Sequence, residues 1–150
     1  MLKLMYITNS PEVASIADGA GVDRIFIDLE QYGKEKRQKN WDSVKSKHSI
    51  SDIPKVKSAV KNAQIFVRTD PIFDGFSDEL EGVLACDPDV VMLPYFKTVR
   101  EVETFIKAVD GRATTSLLLE TREAAEQIDD IISVGGIDEI HIGLNDLSHS

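Results

Sequence analysis

The hydrophobic positions along the chain fall into six short apolar runs, and each run except the last precedes a segment with helical spacing of its apolar residues. The runs are rich in β-branched and aromatic residues, which favours strands, and polar or glycine-containing segments separate them from the helices. The predicted strands are Leu2–Thr8, Arg24–Glu30, Gln64–Asp70, Val90–Phe96, Thr115–Glu120 and Ile137–Leu144.

Helix start signals lie between these strands. The predicted N-cap residues are Ser10, Ser49, Ser77, Thr98 and Thr121. Pro11 follows the first of them, as is common at the first position of a helix. The stretches at 49–52 and 98–101 have the spacing of a capping box, in which the cap residue and an acid three residues later satisfy each other's backbone N–H groups.

Strand and helix alternate without a hairpin signal, which indicates parallel βαβ units. The ends of the last three apolar runs, at Phe96, Thr121 and Asp146, are 25 residues apart. Eight such units would give roughly the ~250 residues of a (β/α)₈ TIM barrel. We therefore expect an α/β fold in which residues 1–150 form a single, partial TIM-barrel domain of about six β/α units.

Polar residues recur where the predicted strands end. These residues are Asp28, Glu30, Arg68, Glu120, Asn145 and Asp146. Carboxyl ends of parallel strands form one edge of the sheet, where sites of α/β proteins lie. Two carboxylates, with water and a chelating substrate, suit Mg²⁺ or Mn²⁺, and a planar guanidinium can hold a carboxylate or carbonyl oxygen. The pattern predicts a divalent-metal site that supports enolate chemistry.

Several segments resemble the HpcH/HpaI aldolase and citrate lyase β-subunit family in their order and spacing. They are Gly21–Glu30, Val67–Arg68, Met92–Pro94, Leu119–Thr121 with Glu123–Ala124, and Ile142–Leu147. The resemblance implies a (β/α)₈ barrel, a divalent metal ion and a homo-oligomer. It also implies aldolase activity of the class II pyruvate type. Such an enzyme makes or cleaves a 2-keto-3-deoxy or 4-hydroxy-2-oxo acid, from a pyruvate-like 2-oxo acid and an aldehyde, through a metal-stabilised pyruvate enolate.

The resemblance also implies roles for individual residues. The metal ligands would be Glu120 and Asp146, and the substrate-binding residues would be Arg68, Gly143, Leu144 and Asn145. Gly143 and Leu144 would act through their backbone N–H groups, and Asp28 would orient its neighbours at the catalytic centre. Gln31 stands where the pyruvate aldolases carry a histidine. Glutamine cannot act as a general base, so the proton path of the aldolases is not reproduced at this position.

Two other functions remain open. One is a citryl- or malyl-CoA lyase-like enzyme, which Asp28-Leu29-Glu30 fits in part although no clear CoA-binding signature is present. The other is a non-catalytic barrel remnant that acts as an assembly subunit, which Gln31 and the short chain favour.

Each candidate residue also has a structural interpretation. The acids at 28 and 30 could pair with the following lysines, Arg68 could form a structural ion pair, and Glu120 could cap a helix with Thr121. His141 is expected in the core or at an interface, whereas His48 and His149 are weak candidates for a base. A basic run followed by the single tryptophan is expected to be a solvated charge run with a packing anchor, and alternatively to attract an anionic substrate tail. It comprises Lys34, Lys36, Arg37, Lys39 and Trp41.

Net charge and composition limit the classes of partner that the protein is expected to bind. A net charge of −9 with a pI near 4.8 argues against nucleic acid and against an anionic membrane surface. Cys86 is the only cysteine, which fits a reducing cytoplasm, and no apolar run reaches membrane-spanning length. Six strands do not close an eight-stranded barrel and leave two open edges. We therefore expect either a fragment of a longer protein or another chain that covers the gap.

Overall fold

The structure is a computed structural model that describes residues 2–31 and 47–148. The possible roles of Lys34, Lys36, Arg37, Lys39, Trp41 and His149 therefore lie outside the described residues. No helix within the described ranges is long and apolar enough to cross a membrane.

Among the described residues, six parallel strands form one sheet in the order β1-β2-β3-β4-β5-β6. They are β1 (Met5–Ile7), β2 (Arg24–Asp28), β3 (Gln64–Arg68), β4 (Val90–Leu93), β5 (Thr114–Leu119) and β6 (Glu139–Ile142). Each strand pairs with the next one in sequence, as in a (β/α) barrel. The sheet is curled, so that Arg24 on β2 reaches Glu139 on β6 across its inner face. The predicted fold, a barrel of which about six β/α units are present, is confirmed.

Helices connect the strands and cover the outer face. They are α1 (Pro11–Gly19), α2 (Asp52–Ala59), α3 (Phe76–Leu84), α4 (Val99–Val109), α5 (Arg122–Glu126), α6 (Ile128–Ser133) and α7 (Leu144–Leu147). The larger hydrophobic core lies between these helices and outward-facing strand residues such as Ile25, Ile27 and Val67. A smaller core of Phe26, Phe66, Val90 and Met92 fills the middle of the inner face.

Three of the five predicted helix caps are confirmed. The side chains of Ser10 and Thr121 accept a backbone N–H three residues later, and Thr98 forms both halves of a capping box with Glu101. These caps fit because the cap residue is extended in each case, so that its side chain can turn back toward the first helical turn.

The other two predicted caps are wrong. The prediction at Ser77 fails because α3 begins earlier, at the buried Phe76, whose N–H donates to the Phe73 carbonyl. At the start of α2 the cap position is occupied by Ser51, which makes no side-chain cap bond. Only the reverse half of the predicted box forms there, from the N–H of Ser49 to the carboxylate that follows it three residues later.

Three aspartates tie the amino ends of neighbouring strands together. Asp23, Asp89 and Asp138 each stand directly before an even-numbered strand, at β2, β4 and β6. Each carboxylate accepts a backbone N–H at the start of the preceding strand, from Leu4, Ile65 and Thr115 at 2.8, 2.7 and 2.8 Å. The repeat therefore sets strand alignment at the end of the sheet opposite to the carboxyl ends.

Candidate active site

Arg68, the last residue of β3, is the centre of a buried ion-pair network. Its Nε and Nη2 donate to the two carboxylate oxygens of Asp28 at 2.9 and 2.8 Å, and its Nη1 lies 3.3 Å from Oε2 of Glu30. Burial disfavours the charged guanidinium, but the hydrogen bond and charge of Asp28, together with the charge of Glu30, outweigh burial and raise the pKa of Arg68. The side chains expected at the ends of β2 and β3 are thus brought together.

Glu120 follows β5 and is also buried, with 5% of its surface exposed. Its Oε1 accepts the backbone N–H of Tyr95 at 2.9 Å. Burial, together with the charges of Glu30 and Asp146 and against the opposing charge of Arg68, raises the pKa of Glu120 to about 7. The two predicted metal ligands therefore lie near enough for one carboxylate to affect the ionisation of the other.

Gly143 lies directly against the Glu120 side chain. A Cβ atom at position 143 would stand 2.8 Å from Cβ of Glu120 and 3.1 Å from its Oε2, so any larger residue would displace the carboxylate. The N–H of Gly143 donates to the carbonyl of Leu119 at 2.9 Å and is used within the sheet in this structure. Leu144 and Asn145 start α7, and both are exposed at the same edge of the sheet.

His48 contacts the carboxyl end of β2. Nδ1 of its buried ring accepts a hydrogen bond from the backbone N–H of Asp28 at 2.9 Å. In the neutral form the ring proton therefore lies on Nε2. A base role at Nε2 would require a proton on Nδ1, where it would face the Asp28 N–H. His48 thus holds the strand end that carries Asp28, and no spacing in the sequence points to this contact.

Gln31 is exposed at the rim of the site. Its backbone N–H donates to Oδ1 of Asp70 at 2.6 Å, and its side-chain Nε2 donates to the carbonyl of His48 at 3.5 Å. Both contacts fix the start of the loop after β2, and neither supplies a base.

Several acids gather around the Arg68 guanidinium at the carboxyl end. Arg68 pairs with Asp28 and Glu30, and its charge also acts on Glu120, which in turn is affected by the charge of Asp146. A cation is the natural complement of such a cluster. Within residues 2–31 and 47–148, no group of three or more His, Cys, Asp or Glu side chains is arranged to hold a metal ion. Two carboxylates with water and substrate oxygens fit Mg²⁺ or Mn²⁺, which keep several such ligands.

A cavity of about 570 Å³ opens at the other end of the inner face. It is lined in part by Lys3, Arg24, Gln64, Glu139 and His141. The Arg24 guanidinium donates to both oxygens of Glu139 and to Gln64, so its charge is already paired. His141 packs its ring 5.6 Å from that of Phe66, but its side chain is partly exposed at the cavity and does not lie in the core. We therefore take the carboxyl end, and not this cavity, as the candidate site.

Comparisons with known proteins agree with the fold described above. A family model described as HpcH/HpaI aldolase/citrate lyase matches residues 3–150. An HpcH/HpaI aldolase from Desulfitobacterium hafniense DCB-2 superposes with a TM-score of 0.72 at 16% identity, over 98% of this chain and 64% of the other. An HpcH/HpaI aldolase/citrate lyase family protein from Burkholderia cenocepacia J2315 gives 0.78 at 14%, over 99% and 65%.

A third solved structure, of citrate synthase SbnG, superposes with a TM-score of 0.76 at 19% identity, over 99% of this chain and 62% of the other. No curated protein matches the sequence. At these identities the solved structures show the fold, and this chain spans less than two thirds of the length of each of the three.

Proposed function

The chain belongs to the HpcH/HpaI aldolase/citrate lyase family, and from that membership we propose a metal-dependent carbon–carbon lyase of the class II pyruvate-aldolase type. Its substrates would be a small pyruvate-like 2-oxo acid and an aldehyde, joined in or released from a 2-keto-3-deoxy or 4-hydroxy-2-oxo acid. The observation that carries the proposal is that Glu120 and Asp146 lie near one another beside the ion pairs of Arg68 at the carboxyl ends of the strands.

Glu120 and Asp146 would hold the divalent cation. When bound, the cation supplies Lewis-acid stabilisation of the oxygen that becomes negative in the reaction. The raised pKa of Glu120 supports the assignment, because burial and the charges of Glu30 and Asp146 disfavour its ionised form, which a bound cation would favour. Gly143 leaves room for the Glu120 side chain at the required place.

Arg68 would bind the carboxylate or carbonyl oxygen of the 2-oxo acid. The two bonds to Asp28 hold the plane of its guanidinium, while Nη1 faces Glu30 at a longer 3.3 Å. A donor fixed in this way needs no reorganisation when charge develops on the substrate. His48 contributes by holding the backbone of Asp28, and Leu144 and Asn145 would contact the substrate from the start of α7.

A CoA-ester lyase of the citryl or malyl type is the second candidate. The observation that favours it is the Asp28-Leu29-Glu30 segment, both acids of which pair with Arg68. The proposal also includes an assembly of several chains. The two edge strands expose apolar side chains, among them Ile7 on β1 and Ile142 on β6, which are 50% and 61% exposed.

Metal binding with a substrate analogue tests the proposed function. We expect Mn²⁺ to bind the wild-type protein, measured by electron paramagnetic resonance, and oxalate to strengthen that binding. Glu120→Gln should abolish both the binding and metal-dependent turnover without unfolding the chain. Glu103→Gln, the same change on the exposed side of α4, is the matched control and should leave both unchanged. Turnover that survives a chelator would refute the metal-dependent mechanism, and absence of binding would favour a non-catalytic subunit.

A further inference from the structure

Tyr95 adopts a backbone conformation that aromatic residues rarely take. It follows β4 and Pro94 directly, and its φ is +48°. The other non-glycine residues with positive φ in the described ranges are Asp87 and Asp110, and aspartate tolerates this region better than bulky residues do. A strained aromatic residue persists only where its surroundings determine it, and such residues cluster at functional sites.

The strained turn directs one N–H group at the site. The Tyr95 N–H donates to Oε1 of Glu120 at 2.9 Å, and the preceding residue, Pro94, has no N–H to offer. On the other side, Gly143 lies against Cβ and Oε2 of the Glu120 side chain. Glu120 is therefore held between the turn after β4 and the residue after β6, which fixes the rotation of its carboxylate.

Contacts between two loops maintain the turn. The hydroxyl of Thr121 donates to the carbonyl of Phe96 at 2.7 Å, and Nε2 of Gln127 donates to the carbonyl of Lys97 at 3.1 Å. The ammonium of Lys97 pairs with Glu123 at 2.9 Å and lies 5.5 Å from the centre of the Tyr95 ring. The loop after β4 is thus tied to the loop that carries Glu120, both through its backbone and through the aromatic ring.

We propose that Tyr95 is a positioning residue for the metal site, and that its left-handed backbone conformation orients the Glu120 carboxylate for the cation. The inference rests on the proposed function, since it assigns the orientation of a ligand in that same site. It also separates the two parts of Tyr95. The backbone conformation directs the N–H, whereas the contact of the ring with Lys97 is not required for that orientation.

Substitutions at position 95 separate conformation from side chain. Glycine and asparagine lack the ring but accept a positive φ, valine lacks the ring and disfavours it, and phenylalanine keeps the ring. For Tyr95→Gly, Tyr95→Asn and Tyr95→Phe we expect Mn²⁺ dissociation constants within about threefold of wild type. For Tyr95→Val we expect a constant about tenfold higher or more, because the relaxed turn withdraws its N–H from Glu120. Tyr95→Ala, which also disfavours positive φ, replaces the valine variant if the latter does not fold.

Hydrogen exchange of the amide at position 95 gives a readout that does not depend on the metal. It should be faster in Tyr95→Val than in Tyr95→Gly, measured without metal and at matched thermal stability. Equal loss of Mn²⁺ affinity in the glycine and valine variants would show that the ring acts directly and would overturn the inference. Unchanged affinity in every variant would overturn it as well, while wild-type binding would leave the proposed function intact. A wild-type protein that binds no Mn²⁺ would refute both.

Discussion

The inner face of the sheet carries a charged cluster at each end, and the two clusters differ in how many described acids lie around the arginine. At the amino ends of the strands, Arg24 donates to both carboxylate oxygens of Glu139. At the carboxyl ends, Arg68 donates in the same bidentate manner to Asp28. Both arginines also lie over an aromatic ring of the inner core, 5.6 Å from the ring centres of Phe66 and Phe26, respectively.

The amino-end cluster is satisfied within the protein. The Nε of Arg24 binds Gln64 at 3.0 Å, and the hydrogen bond from Arg24 lowers the pKa of Glu139 despite its partial burial. His141 lies 3.5 Å from the same carboxylate. One acid and one guanidinium therefore neutralise each other between β2 and β6, which suits a contact that holds the curl of the sheet.

The carboxyl-end cluster brings more acids together. Arg68 pairs with both Asp28 and Glu30, and burial, together with the charges of Glu30 and Asp146, raises the pKa of Glu120 to about 7. The bidentate pair at the amino end joins one acid to one guanidinium. The same kind of pair at the carboxyl end lies beside further acids, where we propose that a cation and an anionic substrate bind.

The largest effect that tests this comparison is the loss of Arg68. We expect Arg68→Ala to lower kcat for the 2-oxo acid by roughly 10²–10³, as is typical for one preorganised donor to a developing negative charge. Arg68→Lys should also be poor, because a point charge does not reproduce the planar fork. Steady-state kinetics at saturating metal measures the effect.

Arg112→Ala is the control for this prediction, since Arg112 forms the same kind of bidentate pair with Glu81 on the exposed surface. It should retain wild-type turnover. If Arg68→Ala keeps most of its kcat, the carboxyl-end pair is structural and the distinction between the two clusters is lost.

An intermediate effect, on stability alone, is expected at the amino-end pair. Arg24→Met leaves Glu139 half-buried without its partner and should lower the free energy of unfolding by about 2 kcal/mol, less than for a fully buried pair because Glu139 is partly exposed. The double variant Arg24→Met/Glu139→Leu should recover most of that loss. Urea denaturation measures both, and Mn²⁺ affinity should stay at the wild-type value.

The loss of folding stability at acid pH gives a second test of the same prediction. The folded-state pKa of Glu139 is lowered by Arg24, so the pair stabilises the fold above the ordinary glutamate pKa of 4.5 and loses that contribution as the pH falls through the lowered value. The apolar double variant should lack this part of the pH dependence. A Mn²⁺ affinity that falls with Arg24→Met at unchanged folding would show that the amino-end cluster is not merely structural.

The smallest effect is expected at the aspartates that tie the strands together. Asp89→Ala removes the acceptor for the Ile65 N–H and should lower the free energy of unfolding by about 1 kcal/mol, as for one hydrogen bond at a partly exposed site. Asp89→Asn keeps an acceptor oxygen and should lose less. Asp74→Ala, at an exposed loop position, is the comparison that corrects for a lost surface charge. A loss in Asp74→Ala equal to that in Asp89→Ala would contradict the specific role of the bond.

Much of the site was predictable, because a parallel sheet brings the residues after its strands to one edge whatever their separation in sequence. Asp28, Glu30, Arg68 and Glu120 were found in this way, and the structure brings all four together. The contributions of His48 and Tyr95 were not predictable, since one depends on a ring nitrogen reaching a backbone N–H 20 residues away and the other on the sign of a single φ angle.

Sequence by itself determined the alternation of strands and helices, the caps at Ser10, Thr98 and Thr121, and the family, because these depend on local spacing, local hydrogen bonds and short motifs. Only the tertiary structure decided which charges meet. Arg24 and Glu139 are 115 residues apart and meet because the sheet curls. Charge balance is a property of what surrounds a group in space, so the difference between a structural pair and a candidate site is fixed only when the strands have assembled.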